Sequence, residues 1–144
     1  MTTLPRTARP RATVMLIAVV VAVVILAVVL LSSRGGTPTN VLTGRTAGYR
    51  VTVSVDDPRV GTTALTVTAT DGHGAPARLS AVTITPIMPT MGHATGVVTA
   101  TAAGPGRYRA TGVELSMAGQ WELDVGLRAA SGTEQVVLAL PVTG

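Results

Sequence analysis

Between Tyr49 and Val142 apolar side chains return at every second position, a period that directs the chain into half-buried β-strands. Tyr49, Val51, Val53 and Val55 alternate with Arg50, Thr52 and Ser54. Leu65, Val67 and Ala69 alternate with Thr66, Thr68 and Thr70, and Val82 and Ile84 with Thr83 and Thr85. A weaker run covers Thr95 to Ala102 and resumes from Arg107 to Val113. The cleanest alternation sets Trp121, Leu123, Val125 and Leu127 against Glu122, Asp124, Gly126 and Arg128; Val136, Leu138, Leu140 and Val142 close the chain. Turn residues separate these runs: Asp56-Asp57-Pro58, Asp71-Gly72-His73-Gly74, Gly104-Pro105-Gly106 and Ser131-Gly132. This pattern predicts an all-β domain over 49–144, an immunoglobulin-like β-sandwich of about seven strands. Trp121 is expected to be its largest core side chain.

A second feature lies N-terminal to the strands. Val14 to Leu31 is eighteen residues without a charge, a Gly or a Pro. As a helix it covers about 27 Å, close to the thickness of a hydrocarbon core. Arg6, Arg9 and Arg11 precede it and Arg34 alone follows closely, so the positive-inside bias keeps residues 1–13 in the cytoplasm. The expected organisation is a cytoplasmic tail (1–13), a single-pass signal-anchor helix in the cell membrane (14–31), a flexible Gly/Ser/Thr-rich tether (32–48) and an extracytoplasmic domain (49–144). A cleaved signal peptide is the competing reading of residues 14–31. Its apolar region would run about 7–15 residues and end in small residues, whereas Leu30 and Leu31 stand at that place here.

Composition removes several function classes. The net charge is +4, but from Ser32 onward eight arginines face seven carboxylates, so the exported part is nearly neutral and no nucleic-acid partner is expected. The chain has no Lys and no Cys, which excludes a P-loop lysine, a Schiff base, a thiol nucleophile, a disulfide and a lipid-accepting cysteine. No nucleophile elbow surrounds Ser54, Ser80, Ser116 or Ser131, and no strand–helix dinucleotide unit is present. The inventory is not that of an enzyme.

One segment stands apart. Met88-Pro89-Thr90-Met91-Gly92-His93 places two thioethers and an imidazole within six residues, between two strands. Thioether sulfur is a soft, uncharged donor suited to Cu(I), and imidazole accepts either oxidation state of copper. Pro89 restricts the backbone and Gly92 permits a tight reversal, so these donors are able to converge. Met117 is placed to approach the same end of the sandwich. The competing reading is packing: methionine is a common filler of irregular core gaps, and His93 is then an ordinary loop residue. His73, in a Gly-flanked turn, reads as exposed.

At these residues the chain resembles the YtkA-like domain, and it is similar to FixH-like proteins and to the exported C-terminal domains of copper-transport membrane proteins. The resemblance rests on Pro86-Ile87-Met88-Pro89-Thr90-Met91-Gly92-His93, on Gly106-Arg107-Tyr108 and on Met117-Ala118-Gly119-Gln120-Trp121-Glu122-Leu123-Asp124-Val125. It covers about Tyr49 to Val142 and implies a small extracytoplasmic sandwich on one membrane helix. It also implies a link to copper handling or to assembly of copper-containing oxidases. The family's Met-x-x-Met-Gly segment maps onto Met88, Met91 and Gly92, and its Gly-x-Trp onto Gly119 and Trp121. No multi-helix transporter portion accompanies the domain, so transport is not implied.

The expectation is a membrane-anchored copper-binding module that uses Met88, Met91, His93 and Met117. Its partners are the lipid bilayer, through the N-terminal helix, and a membrane protein. The alternative is a metal-free interaction domain docking on a membrane complex. The orientation is directly checkable, because the natural chain holds no other thiol. A Thr39→Cys variant is expected to react with a membrane-impermeant thiol reagent in intact cells; labelling only after lysis overturns the assigned topology.

Overall fold

The computed structural model describes residues 40–144. The expected tail, the membrane helix and residues 32–39 of the expected tether lie outside the described residues. Among those described, no helix is long and apolar enough to cross a membrane. The rest is all-β, in nine strands: β1 (Asn40–Arg45), β2 (Tyr49–Val55), β3 (Gly61–Asp71), β4 (Ala81–Met88), β5 (His93–Ala94), β6 (Val98–Gly104), β7 (Arg107–Leu115), β8 (Gly119–Ala129) and β9 (Gly132–Val142), with a single 3-10 turn at Pro89–Met91.

Hydrogen bonding follows the order β1-β2-β3-β7-β6-β4-β8-β9, and β5 pairs with β4. Two layers result, one of β1, β2, β3 and β7, the other of β4, β5, β8 and β9. Strand β6 joins them: it begins beside β4, with Val98 opposite Ile84, and ends beside β7, with Ala102 opposite Tyr108. At the far ends of the path β1 and β9 approach through side chains. A Cβ on Gly44 would lie 2.6 Å from Cγ2 of Val136 and 2.7 Å from Cδ2 of Leu138. The sandwich-like fold is therefore nearly a closed barrel.

The period-two reading set the inside of the fold correctly. Val51, Val53, Val55, Leu65, Val67, Val82, Ile84, Leu123, Val125 and Leu127 are fully buried, and Trp121 is the largest of the fully buried side chains. Two strands were not expected. Asn40–Arg45 falls within the expected tether but forms β1 in continuous register with β2, from Asn40 opposite Val55 to Arg45 opposite Arg50. Its alternation offers one inward apolar side chain, Leu42, beside Asn40 and Gly44. What holds it is the backbone ladder and the room that Gly44 leaves for β9, neither of which shows as hydrophobic periodicity. Strand β5 is only two residues long, below what a period resolves.

Two polar devices fix the loops. The hydroxyl of Tyr108 donates to the carbonyl oxygens of Ala77 (3.2 Å) and Leu79 (3.4 Å) and accepts from the Leu79 N–H (3.0 Å), tying the β3–β4 connection to β7. Arg109 forks onto both carboxylate oxygens of Asp56 and donates to Oγ1 of Thr66 at 2.8 Å. The guanidinium hydrogen bonds hold the Asp56 carboxyl below its ordinary value. Asp56, read from the sequence as a turn residue, also links the end of β2 to β7.

Trp121→Ala removes the largest buried side chain from between the layers. It is expected to destabilise the domain by about 3–5 kcal/mol, measured by denaturant unfolding. A loss under about 1 kcal/mol is inconsistent with this core.

Candidate functional site

Strand β4 ends at Met88, and the chain turns back through Pro89–Met91 into β5, where His93 stands directly opposite Met88 in the ladder. The reversal is made by Gly92, whose φ of 59° and ψ of 25° lie in the left-handed region and whose N–H bonds the Pro89 carbonyl at 3.2 Å. A second segment, Ser116 to Ala118, connects β7 to β8. The two loops meet at one end of the sandwich. There Met88, Met91, His93, Ser116, Met117 and Trp121 line a cavity of about 210 Å³.

Each donor is placed for an identifiable reason. Met88 occupies an inward position of β4 and is 4% exposed. Its methyl carbon fits against Gly119, where a Cβ would lie 2.9 Å from Met88 Cε, and the Gly119 φ of +140° also disfavours any side chain. Trp121, next but one in β8, donates its indole N–H to the Met117 carbonyl at 2.9 Å. That bond satisfies the buried ring nitrogen and fixes the loop that carries Met117. Met91 on the 3-10 turn is 64% exposed and Met117 is 41% exposed. The cavity thus has a buried thioether at its base and two accessible thioethers and an exposed imidazole around its mouth.

All four residues singled out from the sequence come together, although Met117 is separated from the others by β6 and β7. Ser116 was not singled out. No signal in its neighbourhood marks it, since its place depends on how β7 hands over to β8. The Gly-x-Trp pattern at Gly119 and Trp121 was legible as a block, but its work is visible only in space: one residue makes room for a donor and the other holds a donor's loop. His73 is exposed and sits at the opposite end of the sandwich, in the β3–β4 turn.

The lining is chemically narrow. It contains three thioethers, one imidazole, one hydroxyl and the indole, and no carboxylate. Among the described residues there is no cluster of three or more His, Cys, Asp or Glu. The donor set fits a soft monovalent cation and offers little to calcium or magnesium, which require oxygen ligands.

A family model described as YtkA-like matches residues 45–126, a span that includes both loops of the cavity. No curated protein and no solved structure matches the chain.

Gly119→Ala tests how the base of the cavity is built. The new methyl meets Met88 Cε and the backbone is strained, so a loss of about 1–3 kcal/mol is expected. Chemical shifts at Met88 and Trp121 are expected to move with it. Unchanged stability with unchanged Met88 shifts contradicts the close approach.

Proposed function

We propose, from the premise that this chain belongs to the YtkA-like family, that it is a membrane-anchored, extracytoplasmic module that binds Cu(I) through Met88, Met91, Met117 and His93. One observation carries the reading: three soft thioethers and an imidazole, drawn from two chain segments separated by β6 and β7, line the same cavity. Residues 14–31 serve as the anchor in the cell membrane, and copper is the cargo held for or passed to a membrane protein partner. Trp121 and Gly119 position the donors without contributing one.

A second reading keeps the same end of the sandwich and dispenses with metal. Met91 and Met117 are exposed, and Val97, in the β5–β6 connection, is 66% exposed. Adaptable thioethers at such a surface suit docking on a membrane complex.

Leucine separates the two readings, because it preserves bulk and apolarity at a cost below about 1.5 kcal/mol while removing the sulfur. In the full chain, titrated with Cu(I) against a chelator under reducing conditions, Met88→Leu and Met91→Leu are each expected to weaken binding by about tenfold or more. His93→Gln is expected to weaken it as well. If the wild type takes no copper from the chelator, the docking reading stands. If it binds but both leucine variants bind equally well, the cavity is not the metal site.

A further inference from the structure

The turn between β1 and β2 lies at the end of the sandwich opposite the methionine cavity. Its flanks are Arg45 and Arg50, which are directly opposite each other in the ladder, both exposed on the outer face. Like charges facing one another across an antiparallel pair are destabilising. Among the described residues the ion pairs are Arg59–Asp57 and Arg109–Asp56, so neither Arg45 nor Arg50 is neutralised by one. Their side chains border a cavity of about 340 Å³, together with Thr46, Thr70 and the Gly72–Gly74 turn that carries His73.

The two carboxylates of this region stay charged but are engaged by backbone N–H groups and form no ion pair with either arginine. Asp71, which also lines the cavity, accepts the N–H groups of His73 and Ala75 on one oxygen, both at 2.9 Å, and so closes its own turn. Glu134 accepts the Gly48 N–H at 3.0 Å, and hydrogen bonds from Thr46 and Gly48 hold its carboxyl below the ordinary range. Three further arginines lie towards the same end. Arg107 is opposite Thr68, Arg128 is opposite Ala81, and Arg78 borders the neighbouring cavity with Tyr49 and Asp71. The described residues hold seven arginines and seven carboxylates, yet five of the arginines share this end with only two of the carboxylates.

We infer that the cavity between Arg45 and Arg50 is a binding site for a phosphate-type oxyanion, either free phosphate or the phosphate of a lipid headgroup. Planar guanidinium forks match tetrahedral oxyanions through paired N–H donors. An anion between the two arginines turns their mutual repulsion into two attractions. His73, from the facing turn, supplies an additional ring donor.

The test uses the full chain in a nonionic detergent, titrated calorimetrically with inorganic phosphate, glycerol phosphate and the diester glycerophosphoglycerol. Ionic strength is held constant with chloride, which removes general screening effects. Saturable binding is expected, weakened by about tenfold or more in Arg45→Gln and in Arg50→Gln and changed by less than about twofold in Arg128→Gln. Thermal unfolding without phosphate checks that the variants fold; relief of the cross-strand repulsion is expected to leave Tm unchanged or raised. Tighter binding of the diester identifies a lipid headgroup as the source, and tighter binding of inorganic phosphate identifies free phosphate. Absence of saturable binding by all three probes overturns the inference. So does an Arg128→Gln variant that loses as much affinity as Arg45→Gln, because the attraction is then diffuse charge with no site.

Discussion

The indole of Trp121 is the element on which the arrangement turns. The chain has one Trp and no Phe, so the space between the layers is filled mainly by Val, Leu and Ile around this ring, with Tyr108 the other buried aromatic. Stacked sheets lie about 10 Å apart and are held there by interlocking inward side chains. Trp121 is fully buried at the end where the two loops meet, and its one polar atom is spent on the Met117 carbonyl. Packing and site geometry are thus coupled through one residue. A change that lets the ring shift alters both the spacing of the layers and the position of a donor-bearing loop.

How much of this was readable beforehand follows from which forces leave a periodic trace. Burial does: the inward residues of β2, β3, β4, β8 and β9 were identified from alternation alone, down to Trp121, Leu123, Val125 and Leu127. Backbone pairing without burial does not, which is why Asn40–Arg45 looked like tether and folded as a strand. The methionine–histidine segment was visible because its residue types are chemically unusual, and its convergence with Met117 is a matter of topology. The roles of Gly119, Ser116 and the Tyr108 hydroxyl depend on neighbours remote in sequence, and the residues themselves give no local sign of them.

Charge shows the same limit in another form. A nearly neutral total argues against a nucleic-acid partner, and among the described residues seven arginines balance seven carboxylates. The fold separates what the sum combines. Antiparallel pairing brings Arg45 and Arg50 together, and the nearby carboxylates of Asp71 and Glu134 bond backbone N–H groups instead of pairing with them. Towards the other end lie Asp56, Asp57, Glu114 and Glu122, the first two paired with Arg109 and Arg59. A domain without net charge carries a polarity along its length, and an aligning field or a charged surface acts on such a polarity even when the net charge is zero.

The approach of β1 to β9 has its own consequence. An open sheet ends in two rows of unpaired N–H and C=O groups, each a template on which a foreign strand is able to grow. Here the two outermost strands lie against each other, with Gly44 small enough to admit Val136 and Leu138 and Gly48 bonded to Glu134. Each border shields the other from intermolecular zippering, which matters for a protein rich in valine and threonine and free of lysine, the usual deterrent at such borders. By leaving room for β9, Gly44 keeps both outermost strands covered, a protection against edge-to-edge association that is separate from stability and from anything the domain binds.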